Sequence, residues 1–554
     1  MYTETRPWLK NYPSGVPANI DPEQYENLNQ FFEECFKKYK NNIAFECMGQ
    51  TMTYGELDKK SLAFGAYLRS RGLQPGDKVA LMMPNLLQYP IAVVGTLRAG
   101  LIVVNTNPLY TPREMLHQFE DSDAKAILIL ENFAANLETI LQNTSIKTII
   151  TTSIGEMLSP VKGFIVNAVV RHVKKMVPKY KLPNVVSFST ALSEGKKFTI
   201  TPFPNKLDDV IMLQYTGGTT GVSKGAMLTN RNLVANMLQV KSIMDTRLKE
   251  GNEIALSPLP MYHIFAFTVN VLAMTALGAK TVLVTNARDI GSVIKEFKNH
   301  KITLMTGLNT LFNALLNNPE FSNIDFSSLK ATVSGGMALQ RPVAERWEAL
   351  TGCRISEGYG MTESSPVVSV DSIDGTAILG TIGLPVPSTD IRIVKDDGTI
   401  AEVNEVGELQ VRGPQVMKGY YQKPEETAKT IVDGWLCTGD MATIDENAYL
   451  RIVDRKKDMI IVSGFNVYPN EIEDLVVSHD KVLEAAAVGI PDPKSTEAVK
   501  LFVVKKDESL TKEEIMAFCK QNLTGYKMPK EVEFRDSLPK TNVGKILRRE
   551  LKNS

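Results

Sequence analysis

Along the first third of the chain, the spacing of apolar residues switches repeatedly between the period of a helix and that of a strand. "TYGELDKKSLAFGAYLRSRG" (residues 53–72) repeats its apolar positions at helical spacing and stops at Gly72. "QPGD" then turns the chain into "KVALMM", an apolar run of strand length. There follow a helix through "YPIAVVGTLRAG", a strand "LIVVN", a helix "TPREMLHQFEDSD" opening on Thr111-Pro112, and a strand "AKAILIL". Such alternation predicts a parallel sheet covered by helices. "IALSPLP", "KTVLVT", "ITLMTG" and "ATVSGG" continue the pattern through the middle of the chain. The strongly apolar stretch "HIFAFTVNVLAMTALGAKTVLVT" (263–285) is broken by Asn270 and by Gly278–Lys280. A membrane span needs about 20 mainly apolar residues, so this run predicts a buried helix followed by a strand.

From about Ile382 the texture changes. "IGLPVPSTDIRIVKDDGTIAEVNEVGELQVRG" consists of short alternating strands joined by Pro-Ser and Asp-Gly turns, which predicts an all-β subdomain. Beyond "DRKKD" (454–458) the mixed pattern returns, with a helix "PNEIEDLVVSH", a strand "VLEAAAVGI" and a helix "TKEEIMAFCKQNL". That charged run marks the expected boundary between domains at 1–454 and 455–554, although such runs also occur as solvated turns. The expected fold class is therefore α/β. A large N-terminal domain of parallel and mixed sheets with a β subdomain precedes a small, mobile α/β C-terminal domain. No internal repeat or low-complexity tract is present.

Lysine plus arginine and aspartate plus glutamate number 62 each, so the overall charge makes no case for a nucleic-acid partner. Five scattered cysteines without CxxC spacing argue against a disulfide framework or a zinc site and fit a reducing cytosol. The polar N-terminus shows no signal-peptide core, and a cytoplasmic location is expected. One segment departs from the even charge. "MLSPVKGFIVNAVVRHVKKMVPKYKLP" (157–183) carries Lys162, Arg171, Lys174, Lys175, Lys179 and Lys181, with no acid between Glu156 and Glu194. Phe164, Ile165, Ala168, Val169 and Val173 share one helical face. Two readings stand: a basic amphipathic helix at an anionic membrane surface, or a surface helix packed on its own domain.

Candidate chemistry is densest in "YTGGTTGVSKGA" (215–226), where glycines and hydroxyls surround Lys224. Backbone N–H groups and hydroxyls can wrap an anion while a lysine adds a compact charge, and a phosphate chain is the obvious guest. It is not a Walker A loop, because Lys224 follows Ser223 and precedes Gly225. The alternative, a flexible surface loop, is opposed by "VIMLQY" just before it, a buried strand that would hold the loop rigidly.

"YTGGTTGVSKGAMLTNRN" resembles the phosphate-loop signature of the acyl-adenylate-forming enzymes, which include acyl-CoA synthetases, firefly luciferase and peptide-synthetase adenylation domains. "EGYGMTE" (357–363), "GWLCTGD" (434–440), "DRKKDMIIVSGFNVYPNEIE" (454–473) and "PKTNVGKILRREL" (539–551) follow in the family's order, so the likeness covers almost the whole chain. Within the family the sequence most resembles bacterial long-chain fatty-acid–CoA ligases, through "LMMPNLLQYP", "NPLYTPRE", "LPMYHIFA", "TLFNALLNN" and "SGFNVYPNEIED".

The resemblance implies a two-step reaction: a fatty-acid carboxylate attacks the α-phosphate of ATP, and the thiol of CoA then displaces AMP from the acyl-adenylate. No protein nucleophile is required. On the family pattern, Tyr215, Thr216, Gly217, Gly218, Thr219, Thr220, Gly221 and Lys224 form the phosphate loop. Tyr359, within Glu357-Gly358-Tyr359-Gly360, stacks on adenine; Thr362 contacts the α-phosphate; Glu363 holds Mg²⁺, a cation suited to carboxylate and phosphate oxygens. Gly335 and Gly336, after a strand, line the adenine pocket. Asp440 accepts from the ribose hydroxyls, as an acceptor-only carboxylate can, and Arg455 supports the ribose. Lys545, the lysine after "VG", reaches the carboxylate and α-phosphate. Lys457 is the hinge between two domain poses, and Ser463, Gly464 and Phe465 approach the CoA pantetheine in the second, the glycine leaving room in a close thiol channel. His263 is either a core histidine or a neighbour of the acyl carboxylate. Taken singly, each of these residues also has an ordinary reading as a core residue, a turn cap or a salt-bridge partner.

The implied partners are fatty acid, ATP and CoA, with peripheral membrane contact and a homodimer as open possibilities. Rival readings are a ligase for a medium-chain or aryl acid, a luciferase-type oxidation, a peptide-synthetase module and a non-catalytic lipid-binding or acyl-import protein.

Overall fold

The computed structural model describes residues 6–216, 223–541 and 546–552, and among these four sheets carry the fold. In the first, Lys78–Met82 runs between Ile102–Asn105 and Ala124–Leu130, and Val210–Thr216 and Thr148–Thr152 extend it, all in parallel. Val79, Ala80, Leu81 and Met82 are all fully buried, which is why this strand reads as a continuous apolar run and not as an alternation. Two of the helices around it begin on complete capping boxes, Thr53 with Glu56 and Thr111 with Glu114, so their start points are written into the sequence. Helices Tyr54–Ser70 and Gln88–Arg98 touch at glycines: a Cβ on Gly65 would lie 2.6 Å from the Gly95 carbonyl oxygen.

The second sheet has nine strands. Its parallel centre runs Ile43–Cys47, Lys280–Leu283, Ile254–Ser257, Leu304–Gly307, Ala331–Ser334, Ile355–Gly360, with antiparallel strands at both edges. The apolar run 263–285 divides as expected. Residues 264–276 form a buried helix, wound wider at Phe267–Ala273, and the chain continues into the strand Lys280–Leu283. Asn270, the polar interruption, is fully buried and accepts a 3.1 Å hydrogen bond from Thr306. No described helix is long and apolar enough to cross a membrane.

The third sheet is antiparallel throughout, built from Asp390–Val394, Gly407–Arg412, Ile431–Val432, Trp435–Ile444 and Leu450–Arg455. It is the β unit that the turn-rich sequence predicts. A fourth sheet begins at Ile460–Val462. Helices Pro469–Val477 and Lys512–Asn522 bury Ile472, Val476, Ile515 and Cys519 against it, while Leu551 of the last helix, Arg548–Lys552, packs with Ala486 and Phe502 in a second cluster.

Candidate active site

Strands running in parallel deliver the residues that follow them to one end of a sheet, and ligand sites of open α/β sheets form there. Val210–Thr216 and Lys224–Thr229 make an antiparallel pair that places Thr216 opposite Lys224, so the mouth of the Gly/Thr loop is fixed at its two ends. Gly217, Gly218, Thr219, Thr220 and Gly221 lie outside the described residues, as do Gly544 and Lys545. Tyr215 is buried, and its hydroxyl donates to Asp121 at 2.7 Å. Burial, with that carboxylate second, pushes the phenol far above its ordinary range. The Tyr215 ring underlies Gly225, where a Cβ would come within 3.1 Å of it. The side chain of Tyr215 therefore props the hairpin from beneath.

Lys224 lies 4.5 Å over the ring of Tyr420 and pairs with Glu426 at 2.9 Å. Tyr420 in turn donates to Glu363 Oε1 at 2.6 Å. Backbone bonds hold this assembly: Tyr421 N–H donates to Gly225, Met227 N–H to Gly419, and Met417 N–H to Glu363. Thr362 and Glu363 open the single turn Thr362–Ser364, and Glu363 is buried. Burial raises its pKa, against the hydrogen bond from Tyr420 and the charge of Lys224. Sequence reasoning missed Tyr420 and Glu426. "GYYQKPEET" lies between two recognised motifs, and nothing in its spacing says that it returns to the phosphate hairpin.

A second group meets beside it. Tyr359, on Ile355–Gly360, donates to Asp440 Oδ2 at 2.5 Å. Asp440 stands in register with Arg455 on the neighbouring strand, with Arg455 Nε 3.5 Å from Oδ1. Burial first and Asp440 second carry the Tyr359 phenol well above its usual range. Gly335 and Gly336 follow Ala331–Ser334, and a Cβ on Gly335 would meet the Gly358 carbonyl oxygen and the Phe265 ring, each at 3.2 Å. Gly360 has no room for a Cβ against Pro366. Glu357 accepts from Leu339 N–H at 2.8 Å, and burial pushes its pKa up to about 8.

His263 is half-buried and caps the helix that starts at Ile264. Phe265, Leu259, Ala266, Leu308 and Met337 form an apolar cluster next to it.

The CoA candidates stand elsewhere. Ser463, Gly464 and Phe465 occupy the exposed turn of the hairpin Ile460–Val462/Phe465–Val467, where the ring of Phe465 stacks on Tyr526 at 4.7 Å. Among the described residues, no hydrogen bond or ion pair joins them to the nucleotide candidates. A Cβ on Gly464 meets nothing within 4 Å, whereas its φ of 84° demands glycine at this turn. Lys457 is exposed in the tight turn after Arg455.

Among the described residues, no group of three or more metal-ligating side chains is present. Mg²⁺ does not need one, since it is commonly held by one or two carboxylates plus substrate phosphates. A buried Glu363, one oxygen engaged by Tyr420, beside the phosphate hairpin fits that donor set.

The chain matches the AMP-binding enzyme family over residues 32–421 and its C-terminal domain over residues 471–545. It belongs to the AMP-binding enzyme family. Among curated relatives, a long-chain-fatty-acid–CoA ligase of Yersinia pestis is 55% identical over 99% of this chain and 97% of its own length. One of Escherichia coli O157:H7 is 54% identical over 99% and 98%, and one of Bacillus subtilis 38% identical over 99% and 97%. Among solved structures, ATP-bound MatB from Rhodopseudomonas palustris superposes with a TM-score of 0.83 at 26% identity, covering 95% of this chain and 98% of that one. The anthranilate CoA ligase AuaEII with anthranoyl-AMP has a TM-score of 0.86 at 24% identity and a similar fold, covering 96% and 98%.

Proposed function

We propose that this family member converts long-chain fatty acids to acyl-CoA through an acyl-adenylate, with release of AMP and pyrophosphate. The observation that carries the reading is the contact chain Lys224–Tyr420–Glu363 set beside Tyr359–Asp440–Arg455. It joins a cation and a buried carboxylate suited to a polyphosphate to a carboxylate suited to a ribose.

Bringing a carboxylate to a triphosphate forces like charges together, so the site must supply aimed positive charge and donors where charge develops. Lys224, paired in register with Thr216 where the phosphate loop begins, would exchange Glu426 for phosphate oxygens. Glu363, oriented by Tyr420, would hold Mg²⁺, which neutralises charge on the phosphates when bound. Asp440 would accept from the ribose hydroxyls, exchanging Tyr359 as partner and leaving that ring for the base. The apolar cluster of Leu259, Phe265, Leu308 and Met337, next to His263, suits the acyl end. Each buried CH₂ contributes about 0.8 kcal/mol. Lys545 would join from the C-terminal domain in the first step, and the hairpin Ser463–Phe465 would replace it in the second, by rotation about Lys457.

The test is ATP–pyrophosphate exchange, then thioester formation, over fatty acids of increasing length with ferulate and benzoate as aryl controls. Turnover greatest with long chains is the expected result. Exchange with aryl acids alone, or acyl binding without any ATP cleavage, overturns the proposal.

A further inference from the structure

We infer that the helix at residues 160–173 is a docking surface for an anionic lipid bilayer, turned inside out relative to an ordinary surface helix. The sequence leaves open whether its apolar stripe points inward. The side that packs inward carries Gly163 and Val170. Gly163 lies so close to Gly155 that neither position has room for a Cβ, and Asn167 Oδ1 accepts from Gly155 N–H at 2.8 Å. With the small and polar side used as the anchor, the large apolar side chains face out: Val161 is 73% exposed, Phe164 76%, Ile165 55%, Val173 73% and Met176 51%. Contiguous exposure of this kind marks an interaction surface.

Charge chooses the occupant. Arg171 is engaged by Glu131 at 2.7 Å, while Lys162, Lys174, Lys175, Lys179 and Lys181 stand exposed around the stripe, with no acid from residue 157 to residue 193. Two copies of this chain meeting through the stripe would oppose lysine to lysine, whereas an anionic headgroup layer complements it and accepts the apolar side chains beneath.

The helix also stands at a useful end of the fold. Lys162 donates to the carbonyl of Met48, just past the carboxyl end of strand Ile43–Cys47. Cys47 contacts Asn85, whose side chain donates to Leu259 at 2.8 Å and accepts from Met261 N–H at 2.7 Å. Leu259 belongs to the apolar cluster beside His263. Resting on the fatty-acid reading above, the bilayer that this helix binds is also the reservoir of the acyl substrate.

The experiment is co-sedimentation of the full chain with phosphatidylglycerol–phosphatidylcholine vesicles and with pure phosphatidylcholine vesicles. Strong, salt-sensitive binding to the first is expected, with weak binding to the second. The double variant Phe164→Asp/Val173→Asp should lower binding at least about tenfold, and Lys174→Glu/Lys175→Glu at least about twenty-five-fold, roughly fivefold for each lysine charge lost. Charge reversal on exposed lysines disturbs no packing, so it decides the matter even if the aspartate variant unfolds. Pyrophosphate exchange with a long-chain acid delivered in detergent micelles, without vesicles, should be unchanged in both, and its absence in the wild type and every variant would sink the ligase reading while leaving docking intact. Variants that sediment like the wild type, or a wild type that ignores anionic vesicles, overturn the inference. A dimer that the Phe164/Val173 variant splits in sedimentation velocity, without vesicle binding by the wild type, assigns the surface to a second copy instead.

Discussion

Tyr420 holds a carboxylate 57 positions earlier in the chain, and Glu426 holds a lysine 202 positions earlier. At the residue scale these are the contacts that turn two motifs into one site. A hydrogen bond to a buried charged group contributes about 1.5–3 kcal/mol, so Tyr420→Phe should slow ATP–pyrophosphate exchange about ten- to hundredfold and raise the Mg²⁺ concentration needed for half-maximal rate. Exchange rates measured against Mg²⁺ check this, and an unchanged Mg²⁺ dependence would remove Tyr420 from that role. Asp440→Asn retains the size of the side chain but loses its charge and one acceptor. It should raise KM for ATP with a smaller change in kcat, because a ribose contact is made before and during the reaction alike. Glu363, Tyr359 and Asp440 could be named as candidates because they lie in short motifs. Tyr420 could not, because its partner is set by backbone pairing between residues 417–421 and the strand Lys224–Thr229.

Elements were the most readable level. Thr53 and Thr111 announce their helices by capping boxes, and the apolar run after Lys78 announces a strand buried on both faces. The glycine of the 460–467 hairpin carries a demand that such reading does not see. Lack of space beside a bound thiol is one expected demand, and the backbone adds another, a left-handed φ at an open turn. A non-glycine residue in that conformation costs about 1–2 kcal/mol. Gly464→Leu should retain pyrophosphate release and lose thioester formation, followed as two separate half-reactions; normal CoA ligation would count against a role in the second step. The helix inside 157–183 is shorter than its basic, acid-free segment, and its regular pattern gave no hint of which face is anchored.

For the whole molecule, the last helix is tied to the third sheet by one half-buried arginine that reaches buried carboxylates. Arg548 donates to Asp454 at 3.2 Å, to Asn470 at 2.6 Å and to Glu473 at 2.7 Å, joining the last helix to the end of the third sheet. Removing one member of such a buried group leaves unpaired charges and costs about 3–5 kcal/mol. Arg548→Ala should lower the Tm of the full chain by several degrees, with Arg548→Lys recovering only part; an unchanged melt would refute the tie. Lys545 lies three residues before it. Lys545→Ala should abolish adenylation while thioester formation from preformed acyl-adenylate continues, and equal loss of both steps would refute a role confined to the first.

What the sequence determined by itself is local and periodic: the α/β class, the β-rich stretch from Ile382, the helix starts, and a set of motifs whose order marks the family. These follow from apolar period, capping chemistry and the glycine and hydroxyl content of single loops. The tertiary structure alone decided which distant segments meet, that Tyr420 seats Glu363, that Tyr359 answers Asp440, and that the stripe of Phe164 and Val173 faces out. Those outcomes depend on how sheets and helices pack, where a glycine on one side of a helix can reverse the face that its hydrophobic pattern offers to the core.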